Sequence, residues 1–330
     1  MRNRQIVLAR RPLAAVEESN FRMVETEVPP VGEGQVLARV RWLSLDPYMR
    51  GRMSEGKSYA APQPLGEVMI GGTVEEVLES RNPRFRPGDT VVGAAGWQEY
   101  DITDGAGLRK VDPSIVPAST YLGCVGMPGV TAWYGLTQIG RPKAGETVVV
   151  SAAAGAVGSV VGQLAKLLGC RAVGIAGGKA KCDHVVQELG FDACVDYKAG
   201  TFREDFERAT ARGIDVVFEN VGGAVFDAAL ARMNPFGRVA LCGLIAGYDG
   251  QDVAPRNVRA ILTSRLLVQG FIVSEHLDLW PRALSELAGH VAAGRIRYRE
   301  TIARGLESAP RAFIGMLKGE NLGKQLVAVS

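Results

Sequence analysis

The segment 147–168 limits the possible fold of this chain more than any other stretch. Its apolar run at 147–150 is typical of a strand that is covered on both faces of a sheet. A turn of small residues follows at 151–158, and apolar residues then recur at helical spacing over 157–168. This order predicts a strand, a tight turn and an amphipathic helix, the unit from which parallel α/β sheets are built.

The remainder of the chain divides into a mostly β part and an alternating part. Before Gly123, β-like runs at 35–45, 66–78 and 90–92 are separated by Pro-Gly and Gly-rich turns. After Gly123, strands and helices alternate, which indicates a doubly wound parallel sheet. The further predicted strands lie at 172–176, 193–196, 215–219 and 239–242, and the predicted helices end near Leu189, span 203–211, begin at Ala224 and span 279–293. Because 330 residues exceed the usual size of one core, two domains are expected.

Composition and charge exclude several classes of partner. The 38 basic and 35 acidic residues give a formal net charge of +3 without a long single-sign block, so small molecules are expected rather than nucleic acid. The five cysteines form no C-x-x-C pair, which favours a reducing compartment. No apolar run approaches the roughly 20 residues of a membrane span. We therefore expect a soluble cytoplasmic protein without membrane partners.

The turn at 151–158 fits an A-x-G-x-x-G variant of the dinucleotide-binding fingerprint. Small residues permit a tight turn and a close approach of backbone to pyrophosphate, while free N–H groups at the helix start meet the anion. The alternative is a Gly-rich turn that binds nothing, but its position between a buried strand and an amphipathic helix favours nucleotide binding. The predicted contacts are Ala153, Gly155, Ala156, Val157 and Gly158.

The end of the second strand indicates which nucleotide is bound. An NAD-specific site usually has a carboxylate there for the ribose 2′-hydroxyl, whereas this chain has Gly177 followed by Lys179 and Lys181. Lysines in the first turn of a helix interact unfavourably with the helix dipole. A bound 2′-phosphate would explain their position, and this favours NADPH as the cofactor. Tyr197, after the third strand, could close the same pocket. The alternative is a pair of solvated surface lysines and an ordinary tyrosine at a strand end.

The positions of the histidines indicate whether a zinc site is expected. Histidine occurs only at positions 184, 276 and 290, so a zinc site of three clustered ligands is not expected in the first half. Cys124 has no histidine near it in sequence and is expected to be a small buried residue, and Asp46 before Pro47 is expected to be a turn residue. Hydride transfer from a nicotinamide to a conjugated carbonyl needs only hydrogen-bond donors to stabilise an enolate.

Five stretches resemble one family along nearly the whole chain. They lie at 45–53, 126–132, 152–163, 219–223 and at 315–319 with 321–324. The chain resembles the leukotriene B4 12-hydroxydehydrogenase, prostaglandin reductase and alkenal double-bond reductase group of the zinc-independent medium-chain dehydrogenase/reductases. The resemblance implies a mostly β GroES-like catalytic domain at 1–124, completed by 300–330, and a Rossmann NADPH-binding domain at 125–299.

The resemblance also implies site residues and an activity. NADPH-dependent reduction of the α,β carbon–carbon double bond of enones and 2-alkenals is expected, by a homodimer. Tyr248 is expected to stabilise the enolate together with the cofactor ribose, and Tyr48 is expected in the substrate cleft. The residues expected to bind the cofactor, besides the Gly-rich turn, are Gly177, Lys181, Tyr197, Asn220, Cys242, Gly243, Tyr248, Phe271, Val273 and Asn321.

Two other functions remain open at this stage. The same metal-free site could reduce quinones, and the chain could be a non-catalytic NADPH-binding redox sensor. The sequence departs from the family at Asp249, at Lys179 and at Gly71-Gly72-Thr73. The charge of Lys179 is expected to strengthen the NADPH preference.

Overall fold

The computed structural model describes residues 1–329. Its strands are β1 Arg2–Leu8, β2 Phe21–Glu27, β3 Val36–Ser44, β4 Thr73–Ser80, β5 Thr90–Gly93, β6 Tyr100–Thr103, β7 Arg109–Lys110, β8 Thr147–Ser151, β9 Arg171–Ala176, β10 Ala193–Asp196, β11 Ile214–Glu219, β12 Met233–Leu241, β13 Leu267–Gly270, β14 Glu300–Arg304 and β15 Lys324–Ala328. Its α-helices are α1 Tyr48–Arg52, α2 Met127–Tyr134, α3 Gly158–Leu167, α4 Lys179–Gln187, α5 Phe202–Ala209, α6 Gly223–Leu230, α7 Val258–Thr263, α8 Trp280–Ala292 and α9 Ala309–Leu317. None of the helices in this part of the chain is both long and apolar enough to cross a membrane.

The chain separates into two compact units. The first unit comprises Met1–Leu122 together with the chain from Glu300 onward, and the second comprises Gly123–Arg299. The second unit contains a six-stranded sheet in the order β10-β9-β8-β11-β12-β13, and all its neighbouring strands are parallel. This sheet confirms the doubly wound α/β fold class that the sequence predicts.

The core of the second unit surrounds β8, the apolar strand that the sequence predicts at 147–150. Val148, Val149 and Val150 are completely buried on β8, because helices cover both faces of a parallel sheet. Helix α3 packs against β8 and β9, and α4 packs against β9 and β10. The carboxyl ends of these strands and the starts of the following helices therefore meet along one edge of the sheet.

The predicted apolar face of α3 is correct in its middle and wrong at its end. Val160, Val161 and Leu164 are buried, whereas Leu167 and Leu168 are 43% and 44% exposed. Helix α3 runs back toward the amino ends of the strands. Its last turn lies at these ends, where the sheet no longer covers the side chains of the helix. The sequence periodicity alone does not indicate where the sheet ends.

The first unit contains a seven-stranded, mostly antiparallel sheet and a separate β1-β2 pair. The sheet order is β14-β15-β3-β4-β5-β7, with β6 also paired to β3. The predicted strand at 66–78 is wrong in its first part, since β4 starts only at Thr73. Gly66 has a φ of +80°, and a Cβ at Gly71 would lie 2.8 Å from Leu43 Cδ1. These glycines serve a turn and a close contact rather than a regular strand.

Candidate active site

The turn between β8 and α3 is shaped by close backbone contacts. Ala152 adopts a φ of +51°, and the N–H of Gly155 donates to the carbonyl of Ala152 at 2.9 Å. A Cβ at Gly158 would lie 2.4 Å from that same carbonyl oxygen, so only glycine allows the helix to start so close to the turn. A Cβ at Gly155 would lie 3.2 Å from it, which is a tight contact.

The start of α3 presents backbone donors. Among the described residues, the N–H groups of Ala156, Val157 and Gly158 have no acceptor. Unpaired N–H groups and the positive end of the helix dipole favour an anion at this position. The sequence-predicted turn residues therefore lie together, and they offer backbone donors to a phosphate group.

Ala153 contributes to this turn through packing. It is completely buried, and its N–H donates to the carbonyl of Ile175 at 3.0 Å. A Cβ at Gly174 would lie 2.8 Å from the Ala153 Cβ, so the turn lies directly on β9. A larger residue at position 153 would separate the turn from the strand.

A second group of predicted residues surrounds the carboxyl end of β9. A Cβ at Gly177 would lie 2.8 Å from Tyr197 Cε1 and 3.0 Å from Lys198 Cε, so glycine lets these two side chains cover the backbone. Burial lowers the pKa of Lys181, and the positive charge of Lys198 lowers it further. Two ammonium groups that repel each other beside a tyrosine form a suitable site for an anion, which would relieve the repulsion. We name Lys181, Tyr197 and Lys198 the cationic cradle.

Lys198 and Asp196 are residues that the sequence reasoning missed. Asp196 Oδ1 accepts from the N–H groups of Gly178 at 2.7 Å and Lys198 at 2.9 Å, and so joins the end of β10 to the start of α4. Lys198 directly follows the predicted Tyr197, which was the available signal. Lys179 forms an ion pair with Asp183 at 2.6 Å, so its charge already has a partner on α4.

The carboxyl ends of β8 and β11 are tied by Asn220. Its Nδ2 donates to the carbonyl of Ser151 at 2.8 Å, and its own N–H donates to the Ser151 hydroxyl oxygen at 2.7 Å. Asn220 directly follows the carboxyl end of β11, and its contact with a cofactor stays a prediction. Because its backbone and side-chain nitrogens both donate to Ser151, its side-chain Oδ1 is the atom that could bind a ligand.

Glu219, which precedes Asn220, was not singled out from the sequence. It is completely buried, and its Oε1 accepts from the N–H groups of Val221 at 2.6 Å and Gly222 at 2.7 Å. Its Oε2 has no hydrogen-bond partner within residues 1–329. Burial raises the pKa of Glu219 to about 7, while the two backbone donors oppose this rise.

The residues after β12 contact the carboxyl end of β11 through their backbone. The N–H groups of Cys242 and Gly243 both donate to the Glu219 carbonyl, at 2.9 and 3.1 Å. Burial of the thiol raises the pKa of Cys242 to about 12, with a smaller contribution from Glu219, so the thiol stays protonated at neutral pH. Tyr248 follows a 3-10 turn at Ile245–Gly247 and is partly exposed.

Phe271 and Val273 have clear packing roles. The ring of Phe271 packs edge-on against Phe218 at 6.2 Å and lies 5.4 Å from Tyr134. Val273 is buried, and its carbonyl accepts from Trp280 Nε1 at 3.1 Å. Both residues therefore pack in the core of the second unit, and their contact with the cofactor stays a prediction.

The predicted residues of the first unit lie on two segments that an ion pair joins. Lys324 Nζ is 2.7 Å from Asp46 Oδ1 and donates to the Leu45 carbonyl at 2.7 Å, and both charged side chains are buried. The Ser44 hydroxyl also donates to Asp46. Asp46 is thus more than the turn residue that the sequence predicts, because its partner lies 278 positions away. This pair holds the start of α1 against β15.

Tyr48 and Asn321 are positioned by these two segments. Tyr48 is the first residue of α1 and is partly buried, and burial together with nearby Asp46 raises the pKa of its phenol. The phenol is therefore a neutral hydrogen-bond donor at physiological pH. Asn321 Nδ2 donates to the Gly323 carbonyl at 2.8 Å and closes the turn before β15.

Cys124 and the metal ligands complete the comparison with the sequence. Cys124 is buried, which confirms the prediction of a small interior residue. Over residues 1–329, no three His, Cys, Asp or Glu side chains are grouped so that they could hold a metal ion.

Comparison with known proteins gives the family. Residues 4–111 match the family model described as the N-terminal domain of oxidoreductase, and residues 156–289 match the model described as zinc-binding dehydrogenase. The chain is 48% identical to the NADPH-dependent curcumin reductase of Escherichia coli (strain K12), over 100% of this chain and 97% of the relative. It is 42% identical to the NADP(+)-dependent 2-alkenal reductase of Nicotiana tabacum, over 99% of this chain and 98% of the relative. The crystal structure of CurA from Vibrio vulnificus in complex with NADPH superposes with a TM-score of 0.94 at 46% identity, over 99% of each chain. The chain therefore belongs to the zinc-independent medium-chain dehydrogenase/reductase family.

Proposed function

We propose that this chain reduces the α,β carbon–carbon double bond of enones and 2-alkenals, with NADPH as the hydride donor. The chain is an NADP-dependent reductase by its relatives, which include a curcumin reductase and a 2-alkenal reductase. The observation that supports the cofactor choice is the cationic cradle at the carboxyl ends of β9 and β10. Curcumin and 2-alkenals share a carbonyl conjugated to a double bond, which defines the substrate class.

The residues of the second unit fit NADPH at two points. The N–H groups of Ala156, Val157 and Gly158 would hold the pyrophosphate, and Lys181, Tyr197 and Lys198 would hold the 2′-phosphate. The nicotinamide, when bound, supplies the hydride. The protein's part is to orient the cofactor and to stabilise charge on the substrate.

Neutral hydrogen-bond donors are the groups proposed to act on the substrate. Hydride addition at the β-carbon leaves negative charge on the carbonyl oxygen, and a phenol can donate to that oxygen. We assign this role to Tyr248, with Tyr48 as a second donor in the substrate site. The raised pKa of Tyr48 keeps its proton in place, which suits a donor better than a base.

The test is reductant oxidation with NADPH and NADH in parallel, against a 2-alkenal, curcumin and a benzoquinone. We expect a saturated carbonyl product, identified by mass, and a strong NADPH preference. NADPH carrying deuterium at the transferred position should label the β-carbon of the product. Tyr248→Phe should lower kcat on the enone by about tenfold to a hundredfold, since one enolate donor is lost.

Other outcomes would point to different functions. Turnover of the benzoquinone alone would assign quinone reduction to the same site. Tight NADPH binding without turnover of any of the three acceptors would indicate a non-catalytic NADPH-binding protein. An NADH preference would contradict the role of the cationic cradle.

A further inference from the structure

Two cysteines of the second unit lie in contact, although neither has a part in the proposed reaction. Cys182 lies on α4 and Cys194 on β10, and these two elements pack against each other. Both side chains face the same space, because both line one cavity beside α4 and β10, and the two thiols interact with each other. A Cβ at Gly174, on the next strand, would lie 3.2 Å from Cys194 Sγ, so the sulfur packs closely against β9.

The pair borders a cavity, with Cys194 partly exposed and Cys182 buried. Both cysteines line a cavity of about 570 Å³ between α4, β10 and α5. Strand β10 is an edge strand of the six-stranded sheet, so this cavity lies at the border of the unit. None of the five cysteines, all of which lie within residues 1–329, forms a disulfide, and the sulfur of Cys170 by contrast donates to the carbonyl of Lys143.

The two thiols differ in their readiness to ionise. The interaction with the Cys194 side chain lowers the pKa of Cys182, against burial and the negative charges of Asp196 and Asp183. The same interaction and burial raise the pKa of Cys194. Since the thiolate is the nucleophile, Cys182 is the residue that reacts first and Cys194 the one that resolves.

We propose that Cys182 and Cys194 form a redox-active dithiol, which a hydroperoxide converts to a disulfide. The Cys182 thiol gives up its proton and the thiolate attacks the peroxide, the O–O bond breaks, the departing alkoxide or hydroxide takes up that proton and leaves as an alcohol or water, and Cys182 becomes a sulfenic acid. The sulfur of Cys194 then attacks the sulfur of Cys182, the S–O bond breaks, and the departing hydroxide takes the Cys194 proton to form water. The two thiols lose two electrons and the peroxide gains two.

The disulfide would cross-link the elements that carry the cationic cradle. Cys182 directly follows Lys181 on α4, and Cys194 is three positions before Tyr197 at the end of β10. Asp196 already joins these elements through the N–H of Gly178. Drawing α4 and β10 together displaces Lys181 from Lys198, so oxidation weakens NADPH binding. This part rests on the proposed function, in which the cradle holds the 2′-phosphate.

The chemical step is tested on the full chain by peptide mapping. The reduced protein is treated with hydrogen peroxide, its remaining thiols are alkylated, and it is digested with trypsin. Cleavage after Lys181 and Lys198 places both cysteines in one peptide, 182–198. We expect this peptide to lose two hydrogen atoms and to resist alkylation, and Cys182→Ser and Cys194→Ser to abolish that product. Cys170→Ser serves as the matched control and should leave it unchanged.

The coupling is tested by NADPH titration of the reduced and oxidised protein. We expect the Kd for NADPH to rise about fivefold or more on oxidation of the unmodified chain and of Cys170→Ser, and to stay constant in Cys182→Ser. By linkage, NADPH should shift the equilibrium between dithiol and disulfide toward the dithiol, whereas NADH should not. A peptide 182–198 that stays fully alkylated would overturn the dithiol, and a disulfide without a change in Kd would overturn the coupling. Failure of the reduced protein to bind NADPH would instead refute the proposed function, while the peptide map would still decide the dithiol.

Discussion

We propose that the selectivity of the site for NADPH depends on two side chains, Lys181 and Lys198. Lys181 and Tyr197 were singled out from the sequence because Lys181 lies in the first turn of the helix after β9 and Tyr197 directly follows β10. Lys198 and Asp196 were not, because their importance comes from contacts with α4 and with Gly177 that sequence spacing does not reveal. Glu219 was missed for the same reason, since its burial depends on strands that are distant in sequence.

Replacing Lys181 or Lys198 by Ala should raise KM for NADPH and leave KM for NADH unchanged. Each substitution removes one charge-assisted contact to a phosphate, so KM for NADPH should rise about tenfold or more. Lys179→Ala is the matched control, because Lys179 is paired with Asp183. Steady-state kinetics with both cofactors would measure the effect. An equal loss with NADH in the Lys181 variant would contradict the assignment.

Glu219 and Glu75 should make the chain less stable as pH rises. Burial raises the pKa of each carboxyl to about 7, above the ordinary value of 4.5, so the folded state holds its proton where the unfolded state has lost it. The free energy of unfolding should therefore fall between about pH 4.5 and 7, by on the order of 3 kcal/mol per group. Thermal unfolding at a series of pH values would measure this slope.

The control for this slope uses one substitution in each unit. Glu219→Gln should flatten the pH dependence of the second unit, and Glu75→Gln that of the first. A double variant that kept the original slope would show that other groups are responsible.

At the scale of elements, the β8-α3 unit was the most predictable part of the chain. Its strand, turn and helix are consecutive in sequence, so apolar spacing and small residues are enough to indicate them. The start of β4 and the exposed end of α3 were not predictable, because both depend on which other segment covers them. The mostly antiparallel sheet of the first unit includes β14 and β15, which follow the second unit in sequence.

Gly158→Ala tests the turn directly. The new Cβ would lie 2.4 Å from the Ala152 carbonyl oxygen, so the start of α3 must move away from the turn. We expect NADPH affinity to fall by about tenfold or more and the melting temperature to drop. Gly289→Ala, in α8, is the control, since a Cβ there meets nothing within 4 Å and should stabilise the helix by about 0.5–1 kcal/mol. Calorimetric titration and thermal melts would compare the two; unchanged NADPH binding in Gly158→Ala would contradict this account of the turn.

At the scale of the whole molecule, one edge of the six-stranded sheet has the features of a contact between subunits. Strand β13 is an edge strand, and Leu267 on it is 51% exposed, while Leu262 and Val258 on α7 are 78% and 55% exposed. Apolar side chains beside an open strand favour association with a second copy. We expect a homodimer in light scattering and a shift to monomer in Leu262→Glu. Leu13→Glu, at another exposed leucine, should leave the mass unchanged.

The ion pair of Asp46 and Lys324 should be essential to the first unit. Lys324→Met leaves a buried carboxylate without its partner, which typically costs about 3–5 kcal/mol. Asp46→Asn with Lys324→Met removes both charges and should recover most of this loss. Urea unfolding of the two variants would measure the difference; equal stability would show that the pair contributes little.

The same ion pair sets an order of events during synthesis on the ribosome. Asp46 emerges early, yet its partner is made 278 positions later, and β14 and β15 follow the entire second unit in sequence. The second unit is one uninterrupted stretch and can fold as it leaves the exit tunnel. The first 122 residues therefore have an incomplete sheet and an unpaired carboxylate until Lys324 has been synthesised. A nascent chain that stalls before Lys324 would therefore expose its amino-terminal part to chaperones and proteases while its middle is already folded.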